Sequence, residues 1–258
     1  GTVLMSADYQ TGNFSLGGLI GWNLNTQTAS SGYSDINKLD VEGWYSLANS
    51  SSGVNTASEK WSRRLIGAFA QGEIGYKNWL FLTLSGRNDW SSTLPIQNNS
   101  FFYGGIHTSL ILTELFPQLK NSGINFFKIR GAIGQTGNDA DVYLTQNYYT
   151  TITRDPSDYY YTWLPINGVT GLTVSNILAN PDLKPEMTTE YEVGITGSFL
   201  NNRIRVDVAY YNRQTKDQII TADLPPETGY MSQSKNIGHI ENKGIELSTD
   251  FTFVHTYN

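Results

Sequence analysis

Apolar and polar residues alternate with a period of two along most of the chain, and amphipathic helical periodicity is nearly absent. The alternation is clearest over 203–211, where every second residue is apolar. Most of the predicted strands have about ten residues, the length that a tilted strand needs to cross a bilayer. The pattern predicts nine strands: 2–9, 13–23, 63–75, 79–88, 101–113, 126–135, 188–199, 203–215 and 244–254.

Charged side chains within these strands fall on the side opposite to the apolar residues, and Arg64, near a strand end, is the exception. Such segregation is expected in a membrane barrel, because a Lys or Arg that faces lipid at mid-bilayer costs roughly 2–4 kcal/mol. A soluble sandwich also has polar outer faces, so alternation alone does not separate the two folds. The residues predicted to face a polar lumen are Arg87, Asp89, Lys128, Arg130, Glu190, Glu192, Arg203, Arg205, Asp207, Glu246 and Asp250.

The connections between the predicted strands alternate between short and long. Tyr76-Lys77-Asn78 and Leu200-Asn201-Asn202 are tight turns, whereas 24–62, 136–187 and 216–243 are too long for ordinary loops of a compact domain. Short periplasmic turns and long extracellular loops produce this rhythm in outer-membrane barrels. The sequence therefore predicts an all-β fold, an antiparallel transmembrane β-barrel segment.

Aromatic residues are concentrated where the predicted strands meet the turns and loops. Tyr76 and Trp79 lie at the short-turn end, and Trp22 and Tyr191 lie near the long-loop end. Aromatic girdles at both interfaces are typical of membrane barrels, because an amphipathic ring is stable at the level of the headgroups.

Composition excludes several classes of protein and predicts neither a cofactor nor a metal site. The chain has no cysteine, three histidines and a formal net charge of −6, which argues against thiolate chemistry, zinc centres and nucleic-acid binding. Asn138-Asp139-Ala140-Asp141 offers oxygen ligands but lacks the spacing of an EF-hand loop. The sequence contains no nucleophile elbow, phosphate loop or dinucleotide fingerprint.

Four sequence runs occur in a recognisable order on this strand pattern. They are Gly86-Arg87-Asn88-Asp89-Trp90-Ser91-Ser92-Thr93-Leu94-Pro95, Asn180-Pro181-Asp182-Leu183-Lys184-Pro185-Glu186, Tyr210-Tyr211-Asn212-Arg213 with Thr215-Lys216-Asp217, and Asn236-Ile237-Gly238-His239-Ile240-Glu241-Asn242-Lys243-Gly244-Ile245-Glu246-Leu247. With these runs the chain resembles the SusC/RagA-like TonB-dependent outer-membrane transporters. The resemblance covers most of 63–258 and, more weakly, 1–62.

The resemblance implies a 22-stranded barrel in the Gram-negative outer membrane, with an N-terminal plug inside it. Residues 1–258 would then be a C-terminal part of the barrel, without the plug, the segment that contacts TonB and the closing strand. The implied partners are a SusD-like lipoprotein that covers the mouth, the TonB complex, membrane lipid, and an oligosaccharide or peptide ligand. Pairing of two transporter–lipoprotein units into a dimer is also implied.

Aromatic residues in the predicted long loops are candidates for ligand binding. Exposed rings stack on sugar faces or hold peptide side chains, but the same rings also pack loops against each other or against a lid. The candidates in loop 136–187 are Tyr148, Tyr149, Tyr159, Tyr160, Tyr161 and Trp163. Trp44, Tyr45 and Trp61 in loop 24–62 have the same two interpretations.

Two other functions are compatible with the strand pattern. A passive porin or a barrel adhesin would share the membrane fold without a plug. A soluble β-rich carbohydrate-active enzyme is the third hypothesis, because Glu190 and Glu192 lie on one strand face about 7 Å apart. Lumen polarity explains these two carboxylates more simply.

Overall fold

The computed structural model describes residues 1–151, 169 and 171–253. In that part of the chain the strands are β1 (Thr2–Thr11), β2 (Phe14–Asp35), β3 (Asn55–Tyr76), β4 (Leu80–Ser91), β5 (Ser100–Ile111), β6 (Ile124–Asn138), β7 (Tyr149–Thr151), β8 (Leu172–Val174), β9 (Ile177–Leu178), β10 (Glu186–Phe199), β11 (Ile204–Asp223) and β12 (Ser232–Phe251). A short helix, α1 (Leu112–Leu115), precedes a 3-10 helix at Pro117–Ser122, and a second 3-10 helix spans Pro226–Thr228.

Ten strands form one sheet in the order β1-β2-β3-β4-β5-β6-β10-β11-β12-β9. Each long strand pairs antiparallel with its neighbour, and only the two-residue β9 runs parallel, beside the start of β12. Strands β7 and β8 form a separate hairpin within the connection from β6 to β10. Among the described residues there is no helix of the length and apolarity that a membrane span requires.

The nine long strands correspond one to one with the nine predicted strands, but several are longer than predicted. Strands β2 and β3 stay paired up to Asp35 and Asn55, so the predicted loop 24–62 shrinks to 36–54 and Trp61 lies in a strand. The predicted loop 216–243 likewise shrinks to 224–231. Alternation stops before these strands end, because both faces of the ribbon formed by 26–35 and 55–64 are mostly exposed.

The two tight turns have the backbone geometry that the sequence predicts. Asn78, Asn201 and Asn202 have φ values of 59°, 58° and 62°, in the left-handed region that asparagine tolerates. Lys77 and Leu200 also have positive φ, which their side chains did not predict. The turn geometry imposes this conformation, because a tight hairpin with right-twisted strands requires it.

The strand register separates an apolar outer face from a polar inner face. On β10 the outward residues Tyr191, Val193 and Ile195 are 50%, 60% and 42% exposed, which is unusual for large apolar side chains. The same holds at Ile245 and Leu247 of β12. In the described part of the chain, no second protein layer packs against these side chains, as a sandwich would require. The fold is therefore a wall with one apolar and one polar face.

A small buried core lies at the long-loop end of the wall rather than between two layers. Leu94, Phe101, Ala140 and Leu183 pack together there, and Leu183 has no exposed surface. Tyr103, Leu144 and Ile219 pack against this cluster. Burial of these residues fixes the loop bases on the top of the strands.

Candidate functional site

The inner surface of the wall is concave, and polar side chains from neighbouring strands line it. The concavity has a volume of about 1130 Å³. Its charged lining residues are Arg87, Lys128, Arg130, Glu190, Glu192 and Arg213. All except Arg213 belong to the set that the sequence predicts to face the lumen. This surface is called the concave polar face below.

The other predicted lumen residues occupy the same side of the sheet, with one difference at a strand end. Asp89 forms an ion pair with Arg87, and Asp207 forms one with Arg130. Arg205 is the register partner of Asp250. Glu246 lies opposite Ala209. Arg203 belongs to the turn, because β11 begins at Ile204 and not at 203. A water-filled lumen in front of these residues stays a prediction.

Arg130 on β6 contacts acidic residues on both of the next two strands. Its Nε donates to Glu192 Oε1 at 3.0 Å, and its two terminal nitrogens donate to Asp207 Oδ2 and Oδ1 at 2.8 and 2.9 Å. Thr196 Oγ1 accepts from Arg130 at 3.0 Å and donates to Asp207 at 2.6 Å. Bidentate, charge-assisted bonds of this kind are stronger than neutral ones. One guanidinium therefore joins β6, β10 and β11.

Gly194 provides the space that the Arg130 side chain occupies. A Cβ atom placed on Gly194 would lie 2.6 Å from Arg130 Cζ and 2.8 Å from its Nε. Gly194 lies on β10, where its register partners are Arg130 on β6 and Ala209 on β11. The guanidinium therefore crosses β10 directly over a residue that has no side chain.

A second arginine crosses a strand in the same way on the other side of the face. Arg87 on β4 donates to Asn23 Oδ1 on β2 at 3.0 Å and lies 2.7 Å from Asp89 Oδ1. Tyr103 donates to Asp89 Oδ2 at 2.7 Å. A Cβ on Gly67 of β3 would lie 2.2 Å from the Arg87 guanidinium. Both arginines thus lie over a glycine and reach a polar acceptor two strands away, and we call the two arrangements the arginine clamps.

Glu190 and Glu192 both take part in ion pairs. Arg213 Nε donates to Glu190 Oε2 at 2.5 Å, and Glu192 accepts from Arg130. Each carboxylate is thus bound by an arginine of a neighbouring strand, and the two do not face each other across an open cleft. The geometry does not favour the glycosidase interpretation of this pair.

The centre of the concave polar face, between the clamps, carries small side chains. Gly105 lies opposite Gly134, and Ala132 is the next inward residue of β6. Ser85 completes this row on β4. A bound group can approach the backbone closely here, because no side chain larger than a hydroxymethyl projects from these positions.

Asp139 is the centre of a buried hydrogen-bond cluster at the top of the wall. Its side chain is 3% exposed and forms an ion pair with Arg63. Thr93 Oγ1 donates to Asp139 Oδ2 at 3.1 Å, and Ser91 Oγ donates to the same oxygen. Asp139 therefore joins the end of β6 to β3 and to the connection after β4, and its oxygens are already engaged. No group of three or more potential metal ligands occurs in the described part of the chain.

The sequence runs that carry the family resemblance meet at this rim. Asn236 donates to the carbonyl oxygens of Lys184 and Asp217 at 2.8 and 2.7 Å, and it accepts from the Lys184 N–H at 2.9 Å. Leu183 packs on Leu94 of the first run. The runs are distant in sequence and form one set of contacts, which gives them a structural role in fixing the loop bases.

The predicted loop aromatics are only partly within the described residues. Tyr148 and Tyr149 are 46% and 71% exposed, and Tyr148 contacts Tyr143 edge-on with ring centroids 6.3 Å apart. Tyr159, Tyr160, Tyr161 and Trp163 lie outside the residues that the structure describes. Trp44 and Tyr45 are exposed in the connection 36–54. A ligand-binding role for any of these rings stays a prediction.

Several residues of the face were not among the sequence candidates. The strand parity that identified Glu190 also identifies Arg213 and Tyr103, because both lie on the polar side of their strands. Gly67 and Gly194 carry no comparable signal. Their role depends on which residues the register places on the neighbouring strands.

Comparison with known proteins gives matches over nearly the whole chain. A family model described as TonB dependent receptor-like, beta-barrel, matches residues 2–258. TonB-dependent receptor P26 of Formosa agariphila is 30% identical over 223 residues, which are 85% of this chain and 21% of that protein. TonB-dependent receptor SusC of Bacteroides thetaiotaomicron is 36% identical over 88 residues, 31% of this chain and 9% of that protein.

A solved structure of the RagAB peptide importer in the closed-closed state has the same fold. The match has a TM-score of 0.82 and 22% sequence identity, and it covers 99% of this chain and 27% of that chain. These findings confirm the resemblance drawn from the four sequence runs. The chain spans about a fifth of the length of TonB-dependent receptor P26.

Proposed function

The chain belongs to the TonB-dependent receptor-like β-barrel family, a family of outer-membrane transporters rather than enzymes, and from this premise we propose that it forms part of an active importer of oligosaccharides or peptides. Residues 1–258 supply a C-terminal part of the barrel wall. A plug elsewhere in the polypeptide couples import to the TonB complex, and a SusD-like lipoprotein covers the extracellular mouth.

The observation that carries the proposal is the opposite character of the two faces of each strand. Large apolar side chains such as Val193 and Ile245 project outward and are exposed, while Arg130, Glu192 and Asp207 are joined on the inner side. Hydrocarbon covers an apolar face of this kind, and water or a polar ligand contacts the inner one. The polar face then borders the path of the ligand.

Peptides and oligosaccharides are both candidate ligands. One similar structure is named a peptide importer. Exposed rings such as Tyr149 and Tyr45 suit both ligands, because they stack on sugar faces and also pack on peptide side chains. We therefore keep both classes in the proposal.

Uptake by cells that carry the full-length transporter tests the function and its ligand class together. Fluorescent peptides and fluorescent oligosaccharides are offered in parallel, with and without an uncoupler that collapses the proton gradient. We expect accumulation of one class, abolished by the uncoupler. Accumulation that is insensitive to the uncoupler would identify a passive porin, and no accumulation of either class would favour an adhesin.

The proposed lid has its own test. Affinity purification of the tagged full-length transporter in detergent is expected to retain a lipoprotein in a one-to-one ratio. A transporter that is always recovered alone, at full uptake activity, contradicts this part of the proposal.

A further inference from the structure

Toward the long-loop end, the outward side chains change from apolar to polar at a defined level on each long strand except β1. On β10, followed from the short turn toward the long loop, the outward residues from Phe199 to Val193 are apolar or glycine. Tyr191 comes next with its hydroxyl, and Thr189 is the outward residue after it. On β12, in the same direction, Lys243 is the outward residue after Ile245. Apart from Thr108 on β5 and Thr249 on β12, which lie nearer the short-turn end, the first polar outward residues on successive strands are Thr26, Arg64, Asn88, Ser100, Gln135, Thr189, Asn212 and Lys243. We call this set the outward belt.

The outward belt is level when the strands have the tilt of a membrane barrel. The hydrogen-bonded row that contains Lys243 on β12 reaches Gly18 on β2 after seven strand-to-strand steps, and the belt residue on β2 is Thr26, eight residues higher. The belt therefore climbs about one residue per strand, which with the usual strand rise and spacing corresponds to a tilt of about 38°. Membrane barrels have tilts of roughly 35–45°.

Cross-strand hydrogen bonds reinforce the belt on the outer face. Asn88 donates to Ser100 at 3.0 Å, and Gln135 donates to Thr189 at 3.1 Å. Asn212 donates to Glu241, also outward on β12, at 2.8 Å. Exposed amides of this kind are unfavourable in hydrocarbon, so the belt marks where the lipid headgroups begin.

Arg64 and Lys243 are the two cations of the belt. Both are exposed, and no carboxylate of the described residues lies within ion-pair distance of either side-chain charge. The Arg64 backbone is held in place, since its N–H donates to Ser92 Oγ at 2.9 Å and its carbonyl accepts from the Ser92 N–H at 3.0 Å. Within the strands predicted from the sequence, Arg64 is also the one charge that departs from the inward parity.

We propose that Arg64 and Lys243 bind phosphate groups of anionic lipid headgroups in the leaflet on the long-loop side. Toward the long-loop end, the last apolar outward residue is Ile66 on β3 and Ile245 on β12. Arg64 and Lys243 are the next outward residues, and so they lie at the depth of the phosphates. Arg64 suits bidentate phosphate binding, and Lys243 contributes a point charge. The proposal rests on the membrane location in the proposed function, and it assigns a lipid-binding role to two residues outside the transport path.

Lipid retention by the full-length transporter tests this site separately from import. The protein is reconstituted in vesicles of equal parts phosphatidylcholine and phosphatidylglycerol, and the lipids that remain bound are counted by native mass spectrometry. We expect wild type to retain phosphatidylglycerol preferentially. Arg64→Gln and Lys243→Gln are each expected to lower that preference by about fivefold, the effect of one basic residue near a charged membrane surface.

Two further variants separate a phosphate site from general charge or folding effects. Lys38→Gln removes the same charge from an exposed position in the connection 36–54 and is expected to leave the lipid ratio unchanged. Arg64→Lys is expected to keep most of the preference. Heat-modifiable gel mobility verifies that each variant is folded. An Arg64→Gln/Lys243→Gln double variant that is folded and keeps the wild-type ratio overturns the proposal, whether or not the protein imports its ligand.

Discussion

Two glycines decide where the arginines of the concave polar face can reach. Arg130 and Arg87 each cross a neighbouring strand and bind a polar group two strands away, and the residue beneath the guanidinium is Gly194 in one clamp and Gly67 in the other. Glycine is normally unfavourable inside a strand. Here its missing side chain allows charge-assisted bonds that tie three strands together.

The Arg130 clamp predicts a non-additive pair of substitutions. Gly194→Ala is expected to displace the guanidinium and leave Glu192 and Asp207 without their partner, at a cost on the order of 1–3 kcal/mol. In an Arg130→Ala background the same glycine substitution is expected to cost little, because nothing remains to displace. Urea unfolding of the full-length protein in lipid vesicles, followed by tryptophan fluorescence, gives both values.

The outcome that contradicts the clamp is an equal cost of Gly194→Ala in both backgrounds. In that case the glycine would be required by the backbone and not by Arg130. Gly72→Ala is the matched control within the sheet, because a Cβ at Gly72 meets no atom within 4 Å.

At the scale of the elements, each strand has one face for each environment. A shift of register by a single residue would exchange the faces of a whole strand, so the alternation in 204–210 fixes how β11 must be oriented. The antiparallel pairing of Val206 with Gly197 and Thr249 keeps it on the outer side. Neighbouring Arg205 pairs with Ser198 and Asp250 on the inner side.

This orientation predicts opposite results for charged residues at adjacent positions. Val206→Lys and Ile195→Lys are expected to impair assembly, since an outward lysine at mid-bilayer costs roughly 2–4 kcal/mol. Arg205→Lys keeps a charge on the inner face and is expected to be tolerated. Heat-modifiable gel mobility of the three variants measures assembly, and equal folded fractions would show that the faces are assigned wrongly.

At the scale of the whole molecule, contacts between distant parts of the sequence organise the rim. Asp139, which follows the last residue of β6, holds Arg63 of β3 and the connection after β4, and Asn236 of β12 holds the segment before β10. The bases of the connections therefore form one unit on top of the wall. The wall itself leans, as the climb of the outward belt from strand to strand shows.

The climb of the outward belt from strand to strand predicts a measurable strand tilt in membranes. Polarised infrared spectroscopy of the full-length transporter in oriented bilayers is expected to give an average strand tilt of about 38° from the membrane normal, since the belt is level only at that angle. Strands within about 20° of the normal would mean that the outward belt is not a membrane boundary.

The sequence by itself determined the number, order and sidedness of the long strands. Lipid on the outer face and a polar interior on the inner face impose the alternation directly on each strand. The alternation therefore identified β10 and β12 and the inward position of residues such as Glu190 and Asp207. The tight turns were predictable for a similarly local reason, since Asn78 and Asn201 adopt backbone angles that few residues tolerate. Strand ends were predicted less well, because the alternating signal stops where both faces of a ribbon are exposed to water.

Only the tertiary structure decided which residues on the inner face contact each other. Parity placed Arg130 and Asp207 on the same side, but their bonds across Gly194 depend on the register between three strands. The buried position of Asp139 and the meeting of Leu183 with Leu94 depend on how connections distant in sequence fold back on the wall. Local sequence records the environment of each side chain, whereas contacts between distant residues arise from strand pairing and loop packing that no single segment specifies.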